Sequence, residues 1–372
     1  MKQEIIDKIN RLASQDEPFL FVINYQADEA FIRKLSDINP EECLFDFEGK
    51  GNFSHARKET WKEEISETTW QIDPPLYEDY EQSFNIVKSN IMAGNSYLTN
   101  LTNRVPVSCN LSLEEIFHRA KGKYKLLLRR KRTQAEDKAH LKEENIEENL
   151  TPFVCFSPET FVRIKGGRIY SYPMKGTLDA SLPNAEKLLM EDRKEAAEHA
   201  TIVDLIRNDL SRVAEDVRVD KYRYVDVLHT NKGDILQTSS EISGRLPEDY
   251  PHHLGEILDA QLPAGSITGA PKDKTMQIIQ EAEGYDRGFY TGIMGIYDQG
   301  ELNSAVMIRF IEEEETSPVD FEADGEKNFK ANEGKKPKKS RKLYFKAGGG
   351  ITSKSDCRRE YEEVIQKIYL PI

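Results

Sequence analysis

Apolar and polar positions along the chain follow two different periods. Short apolar runs bounded by glycine, asparagine or aspartate predict strands. The runs with this pattern are FLFVIN (19–24), TFVRIKGGRIYSYPM (160–174), GFYTGIMGIYD (288–298), ELNSAVMIRFIE (301–312) and KLYFKAGGGIT (342–352). A Gly-Gly pair inside the second run is typical of a tight turn, so this run predicts a hairpin.

Three other segments repeat their apolar residues with the period of a helix. They are AEKLLMEDRKEAAEHATIVDLIRNDLSRVA (185–214), PKDKTMQIIQEAEG (271–284) and DCRREYEEVIQKIYL (356–370). The first predicts one long helix or two abutting helices, and the second predicts a helix that begins at a proline and stops at Gly284. Because strands and helices are interspersed without strict alternation, the sequence predicts an α+β fold.

Two stretches interrupt this pattern because they are dense in charge and poor in apolar residues. They cover about residues 121–150 and 312–341. Segments of this composition cannot bury enough apolar surface to offset the entropy lost on ordering, so both are predicted to be solvated insertions. Their basic runs, LRRKR and KKPKKSRK, lie beside acidic runs that cancel the charge, and neither predicts a nucleic-acid site.

The composition predicts a cytoplasmic protein that binds neither nucleic acid nor membrane. The 372 residues carry a formal net charge of −13, which opposes attraction to phosphate. The four cysteines are far apart and form no CxxC pair, so we expect reduced thiols. No apolar run reaches about 18 residues, and the first residues, MKQEIIDKIN, lack the apolar core of an export signal.

The stretch SYPMKGT (171–177) places Lys175 between a proline and a glycine, after a predicted strand and before a predicted helix. Proline and glycine indicate a turn, in which a lysine is usually a surface residue. A lysine held in place can also act as a nucleophile when it is deprotonated. The local sequence does not distinguish these two interpretations.

Acidic pairs with helical spacing occur in two of the predicted helices. Glu195 and Glu198 are three residues apart, as are Glu360 and Glu363, and Lys367 extends the second stripe. Carboxylates gathered together need a cation, and a site of few oxygen ligands suits Mg²⁺. By spacing alone, pairs of this kind usually lie on a solvated helix face.

Glycines and basic residues suggest where an anionic ligand could bind. LPAGSITGAPK (262–272) carries Ser266 just before a helix predicted to start near Pro271, and a helix N-terminus attracts anions. KAGGG (346–350) permits close approach of a ligand to the backbone, although glycine runs are more often turns. Arg309, in the apolar run AVMIRF, must find an anion or reach solvent.

Taken together and in order, these motifs resemble the chorismate-utilising enzymes, the family of anthranilate, aminodeoxychorismate, isochorismate and salicylate synthases. The resemblance covers residues 77–367 apart from the two charged stretches. It implies a single large α+β domain with two packed sheets flanked by helices, in which a shortened region 1–76 joins the catalytic part 77–372. The motifs that carry it are GNSYLTNLT, FSPETF, PMKGT, KEAAEHATIVDLIRNDLSRV, LPAGSITGAPK, RGFYTGIMGIYD, AVMIRF and AGGGITSKSDCRREYEEVIQK.

Within this family the residue at Lys175 is informative about the reaction. Aminodeoxychorismate synthases typically carry lysine there, whereas anthranilate synthases usually carry alanine. Isochorismate and salicylate synthases place a water-activating lysine where this chain has Leu98. The resemblance therefore implies the conversion of chorismate and ammonia to 4-amino-4-deoxychorismate, with anthranilate synthesis as the alternative and a catalytically silent family member as a further one. The ammonia is expected from a separate glutaminase subunit.

The resemblance also assigns roles to individual residues. It makes Lys175 a nucleophile toward C2 of chorismate and Glu159 the acid that assists loss of the C4 hydroxyl. Gln237 stands where anthranilate synthases have histidine, so that proton-transfer role is not expected. The groups expected to bind substrate are Ser266, Tyr290, Arg309, Gly348, Gly350, Lys367 and Thr177. The expected Mg²⁺ ligands are Glu195, Glu198, Glu360 and Glu363.

Overall fold

Two large antiparallel sheets form the centre of the part of the chain that the structure describes. The structure is a computed structural model and describes residues 1–53, 68–129, 151–230, 233–316 and 340–372. In these residues no helix is both long enough and apolar enough to cross a bilayer. The predicted α+β class is confirmed, and the strands and helices are as follows.

The strands are β1 (Phe19–Ile23), β2 (Ala30–Lys34), β3 (Cys43–Phe47), β4 (Lys50–Gly51), β5 (Trp70–Ile72), β6 (Leu98–Cys109), β7 (Tyr124–Leu128), β8 (Phe153–Ser157), β9 (Thr160–Lys165), β10 (Arg168–Ser171), β11 (Met174–Asp179), β12 (Glu215–Thr230), β13 (Gly233–Arg245), β14 (Gly269–Ala270), β15 (Ile293–Asp298), β16 (Glu301–Val306), β17 (Phe310–Thr316) and β18 (Ser340–Ile351). The α-helices are α1 (Gln3–Ser14), α2 (Tyr77–Met92), α3 (Leu113–Arg119), α4 (Ala185–Glu191), α5 (Arg193–Ser211), α6 (Leu254–Gln261), α7 (Gly265–Thr268), α8 (Lys272–Glu283) and α9 (Cys357–Gln366). Single 3₁₀ turns occupy Leu35–Asp37 and Tyr250–His253.

Each sheet combines strands from distant parts of the chain. The first has the order β11-β13-β10-β9-β16-β15-β1-β2, with β12 on the other side of β13, and the second has the order β14-β6-β18-β17-β8-β7-β3-β4, with β5 beside β6. Residues 1–76 contribute β1 and β2 to the first sheet and β3 to β5 to the second. Both sheets therefore include strands from this N-terminal region.

The two sheets pack face to face, as alternate residues of β1 show. Leu20 and Val22 lie in an apolar core between the sheets, together with Phe45 of β3. Phe19 and Phe21 point the other way, into a core covered by helices α1 and α6. Alternation is the rule for strands, and burial of both faces makes β1 continuously apolar.

Helices cover the outer faces of both sheets. Ile5 and Ile9 of α1 and Leu258 of α6 pack on the first sheet. Phe84 of α2 and Val364 of α9 pack on the second. Full burial of side chains of this size stabilises the fold by about 1.5–3 kcal/mol each.

The three predicted helical segments are found. The sequence left open whether the first of them forms one helix or two. The segment 185–214 forms two abutting helices, α4 and α5, separated at Asp192. Helix α8 follows Pro271 and ends at Gly284, whose φ of 64° is the left-handed conformation of a helix terminus. The predicted hairpin is also present, because β9 and β10 pair antiparallel on either side of the Gly-Gly turn.

The first charged stretch was predicted to be solvated over 121–150, and this is wrong at its start. Strand β7 is buried and pairs with β3 and β8. Lys125 within it is also buried, because its Nζ donates to the carbonyl oxygens of Phe117 at 3.1 Å and Ala120 at 3.2 Å. Hydrogen bonds to carbonyl oxygens make this burial possible. Residues 130–150 lie outside the described part of the chain.

The second predicted insertion, 312–341, is likewise wrong at both ends, where β17 and β18 pair with each other. The charges are neutralised across strands. Glu312 forms ion pairs with Arg104 of β6 at 2.5 Å and with Lys346 of β18 at 2.7 Å. Opposite charges on neighbouring strands allow acidic residues to occupy a sheet. Residues 317–339 lie outside the described part of the chain.

Candidate active site

Lys175 lies in strand β11, whereas the sequence predicted a turn between a strand and a helix. A bulge between Lys175 and Thr177 interrupts the register with β13, and Gly176 at its centre has a φ of 70°. Glycine adopts this conformation without strain. The carbonyl oxygen of Lys175 accepts a hydrogen bond from Thr238 of β13. The backbone of this half-buried lysine is thus held by β13.

The carboxyl group of Glu159 is held by Ser266 and lies close to two cationic groups. Ser266 Oγ donates a hydrogen bond of 2.5 Å to Glu159 Oε1. Burial raises the pKa of Glu159 above its ordinary value, although the Ser266 hydroxyl and the positive charges of Lys175 and Arg309 act against this rise. A carboxyl group that keeps its proton to higher pH is suited to general acid chemistry.

Ser266 reaches Glu159 from a separate helical turn. The sequence placed it before a helix starting near Pro271, but α8 begins at Lys272 and Ser266 lies in the one-turn helix α7. Between them the chain passes as β14 beside β6. A Cβ on Gly269 would lie 1.8 Å from the carbonyl oxygen of Leu98, so only glycine allows this close approach.

Arg309 occupies an irregular position between β16 and β17 and not the strand that the sequence suggested. Its φ is 57°, a left-handed conformation that is uncommon for a residue other than glycine and is often found at functional sites. Its carbonyl oxygen accepts a hydrogen bond of 3.0 Å from the amide of Phe156. Tyr290 is buried in the core between the sheets, and it interacts electrostatically with Arg309.

The three glycines of β18 serve different purposes. A Cβ on Gly348 would lie 2.6 Å from the carbonyl oxygen of Leu101 in β6, so strand packing requires this glycine. A Cβ on Gly350 would lie 3.8 Å from Lys175 Nζ and 3.1 Å from Leu98 Cδ1. Gly350 therefore leaves open the space in front of the lysine.

Gly349 faces the carboxylates of α9. A Cβ there would lie 3.5 Å from Glu360 Oε2 and 3.8 Å from Lys367 Nζ. Lys367 Nζ is 2.7 Å from Glu363 Oε1 and donates a hydrogen bond of 3.0 Å to the carbonyl oxygen of Gly348. The lysine thus joins the acidic stripe of α9 to the glycine run.

The acidic pair of α5 lies beside β11, the strand that carries Lys175. A Cβ on Gly176 would lie 3.0 Å from Glu195 Oε2, so this carboxylate lies beside the bulge that follows Lys175. Glu198 is half-buried one turn further along α5. The oxygen ligands that Mg²⁺ prefers are therefore present on two helices near one site. Within the described ranges, however, no three His, Cys, Asp or Glu side chains are gathered as a preformed metal centre.

Thr177 and Gln237 lie opposite each other on β11 and β13. Thr177 is exposed and Gln237 is half-buried. Both lie one step beyond the pair formed by Lys175 and Thr238 in the same ladder. The two residues are therefore near the lysine along the sheet.

His199 is a buried residue, influenced by the charge of Lys175, that sequence reasoning missed. It is fully buried on α5, and its Nε2 lies 2.6 Å from Ser240 Oγ of β13. Burial lowers the pKa of His199 to about 4, and the positive charges of Arg223 and Lys175 contribute to this. Its position directly after Glu198 and four residues after Glu195 was a signal that could have identified it.

Arg287 is a second residue that the sequence did not single out, although it opens the motif RGFYTG. It is buried and donates to both carboxylate oxygens of Glu283, at 2.8 and 2.6 Å. It also donates to the carbonyl oxygens of Ile267 at 3.0 Å and Asn100 at 2.7 Å. Ile267 follows Ser266 in α7, and Asn100 pairs with Gly350. Arg287 therefore ties the helix of Ser266 to the strand opposite the glycine run.

Comparison with known proteins agrees with this architecture. The pattern that describes a chorismate binding enzyme matches residues 54–323. An uncharacterized PabA-like protein of Haemophilus influenzae is 43% identical over 370 residues, which cover 100% of this chain and 97% of the relative. The aminodeoxychorismate synthase component 1 of Bacillus subtilis is 28% identical over 83% of this chain and 58% of its own length. The anthranilate synthase component 1 of Aquifex aeolicus is 34% identical over 57% of this chain and 38% of its own length.

Solved structures share the fold at low sequence identity. The 2,3-dihydroxybenzoate-specific isochorismate synthase of Bacillus anthracis superimposes with a TM-score of 0.63 at 18% identity, covering 98% of this chain and 86% of its own. Anthranilate synthase component I of Streptococcus pneumoniae gives a TM-score of 0.62 at 19% identity, covering 94% and 79%. These likenesses confirm the predicted fold of two packed sheets flanked by helices. Since the sequence pattern spans most of the chain, the protein belongs to the chorismate-binding enzyme family.

Proposed function

We propose that this protein is an aminodeoxychorismate synthase of the component I type, which converts chorismate and ammonia to 4-amino-4-deoxychorismate in the cytoplasm. The observation that carries the proposal is the position of Lys175 Nζ, 3.8 Å from where a Cβ on Gly350 would lie. Leu98 contacts the same point, where water-adding relatives are expected to have a lysine. The site thus offers an amine nucleophile and has an apolar side chain where those relatives activate water.

Lys175 acts in this scheme as a covalent nucleophile. Its neutral amine forms a C–N bond at C2 while the C4–O bond breaks and the ring double bonds shift. Glu159 donates its proton to the departing oxygen, which leaves as water. Ammonia then forms a C–N bond at C4, the double bonds shift back, and the C2–N bond breaks to release Lys175 as a neutral amine. The ammonia nitrogen returns one proton to Glu159, so atoms and protons balance.

The carboxylates of α5 and α9 are proposed to hold Mg²⁺, directly or through water. The donor set fits because Glu195, Glu198, Glu360 and Glu363 are hard oxygen ligands of the kind this ion prefers. When bound, Mg²⁺ supplies a positive charge that orients and polarises a substrate carboxylate. Arg309, Lys367 and the backbone of the glycine run are proposed to bind the second carboxylate of chorismate. Tyr290 is proposed to help Arg309 bind this carboxylate, Ser266 to contact the ring, and Thr177 to contact the substrate.

Ammonia is proposed to come from glutamine through a separate glutaminase subunit, with free ammonium as a substitute. The relatives named aminodeoxychorismate synthase component 1 and anthranilate synthase component 1 correspond to the two candidate reactions. The lysine at 175 favours the first, because the anthranilate branch usually has alanine at this position.

Product analysis tests the proposal. The purified protein is incubated with chorismate, Mg²⁺ and ammonium, and the products are separated and identified by mass. We expect 4-amino-4-deoxychorismate, and the Glu159→Gln variant should form little of it. Formation of anthranilate would instead establish the alternative reaction. Absence of turnover, even with a glutaminase present, would favour a catalytically silent family member.

A further inference from the structure

A small cavity lies beside Glu159 and Ser266. It has a volume of about 20 Å³. The residues at its wall that matter here are Glu159, Ser171, Asp209, Gln261, Ala264 and Ser266. A water molecule needs about 10–15 Å³, so the space holds one molecule of this size.

Part of the cavity wall is polar and charged although it is buried. Asp209 Oδ2 is 2.8 Å from Lys272 Nζ. Lys272 donates a hydrogen bond of 2.9 Å to the carbonyl oxygen of Gln261, whose Nε2 donates one of 2.9 Å to the carbonyl oxygen of Asp209. The proposed reaction assigns no role to these three residues. Burial of an ion pair is weak evidence for stability, so this wall calls for another explanation.

The chemistry at C4 requires a place for a molecule of this size. Water departs after it takes a proton from Glu159, and ammonia arrives and returns a proton to Glu159. Both molecules are small hydrogen-bonding hydrides, and Glu159 is part of the cavity wall. A buried molecule of this kind needs about two to four polar partners, which the carboxyl groups, Ser171 and Gln261 can supply.

We propose that this cavity is a binding site for a single water or ammonia molecule, through which the two exchange at C4. The inference rests on the proposed function. In the resting enzyme the occupant is water, and during turnover ammonia takes its place next to Glu159. Asp209, which also lines the cavity, orients the occupant.

Filling the cavity tests this proposal. Ala264 is buried at the wall, and Ala264→Val adds two methyl groups that compete with the occupant for space. A steric change of this size is worth about tenfold or more, so we expect kcat/KM for ammonium to fall by that factor. The KM for chorismate should stay within about twofold, since none of its proposed carboxylate ligands is at this wall. Crystals of the wild-type and variant proteins without substrate should show one water in the cavity and none, respectively.

Controls separate this effect from general destabilisation. Ala282→Val makes the same change at a buried alanine of α8 in the core over the second sheet, and it should leave ammonium kinetics unaltered. If Ala264→Val does not fold, Ile206→Phe provides a second test, because Ile206 lines the cavity and is only partly buried. The proposal is overturned if wild-type crystals show no water in the cavity. It is also overturned if a variant that has lost this water keeps the ammonium kinetics of the wild type. The proposed function is tested separately, and it fails if the wild-type enzyme forms no aminated product.

Discussion

Ser266 Oγ donates a hydrogen bond of 2.5 Å to Glu159 Oε1, and the two residues are 107 positions apart in the chain. The bond favours the ionised carboxylate, whereas burial favours the protonated acid and prevails. The pKa of Glu159 is therefore raised, and its acidic form persists to higher pH than that of an exposed glutamate.

This balance gives a pH prediction. A general acid works only while protonated, so activity should fall as the pH rises through the pKa of Glu159. Ser266→Ala removes a bond that lowers this pKa, so the alkaline limb of the kcat profile should move to higher pH. Glu159→Gln should lower kcat by about 10²–10⁴-fold and abolish the limb. A limb that stays in place in Ser266→Ala would contradict the assignment of Glu159.

The covalent role of Lys175 can be examined by mass spectrometry of the intact protein. With chorismate and no ammonia, the wild-type protein should gain the mass of chorismate less one water. Lys175→Ala should show no such species because the nucleophile is absent. Lys165→Ala is a suitable control, since Lys165 is exposed on β9. An adduct that survives in Lys175→Ala would assign the nucleophile elsewhere.

Two glycines of one strand should respond differently to the same substitution. Gly348→Ala places a methyl group 2.6 Å from the carbonyl oxygen of Leu101, and such overpacking should lower the free energy of unfolding by about 1–3 kcal/mol. Gly350→Ala places a methyl group 3.8 Å from Lys175 Nζ. Because this methyl group would displace the substrate from its reactive position, kcat/KM should fall by about 10²-fold. Denaturant unfolding and chorismate kinetics on both variants check this pair.

Similar losses of stability and activity in both glycine variants would argue against the division of roles. In that case the glycine run would matter only for strand packing. Loss of activity in Gly350→Ala with normal unfolding would support an open space in front of Lys175.

Activity should require Mg²⁺, and the concentration required should depend on the glutamate pairs of α5 and α9. Chelation by EDTA should abolish turnover, and Mg²⁺ should restore it. Glu360→Gln should raise the Mg²⁺ concentration required for half-maximal activity by about 10-fold or more, because a hard cation loses a charged ligand. Glu362→Gln is the matched control, since Glu362 is exposed on the same helix. Equal Mg²⁺ requirements in the two variants would remove Glu360 from the metal site.

His199 should make the fold sensitive to acid. Its pKa is about 4 in the folded protein against an ordinary value of 6.5. Between these values the unfolded chain takes up a proton that the folded protein does not, so stability is lost as the pH falls through this window. The contribution is on the order of 3 kcal/mol. Urea unfolding at pH 7 and near pH 4, without added metal, should show a smaller loss in His199→Gln, and identical losses would contradict the effect.

The sequence alone was sufficient for part of the local structure and for the family. The period of the apolar residues identified several strands and three helical segments, and Pro271 and Gly284 marked one of these helices because proline and glycine restrict or permit particular backbone angles. Ordered motifs pointed to chorismate enzymes, which the pattern over residues 54–323 confirms. Each of these inferences uses information from neighbouring residues.

Tertiary structure decided what depends on distant residues. Composition mistook β7, one end of β17 and one end of β18 for parts of solvated insertions, because their charges are satisfied by groups such as Phe117 O for Lys125 and Arg104 for Glu312. The contact of Ser266 with Glu159 and the burial of His199 were likewise invisible in the sequence. Sheet register and packing bring such groups together, and these depend on the whole chain rather than on its local pattern.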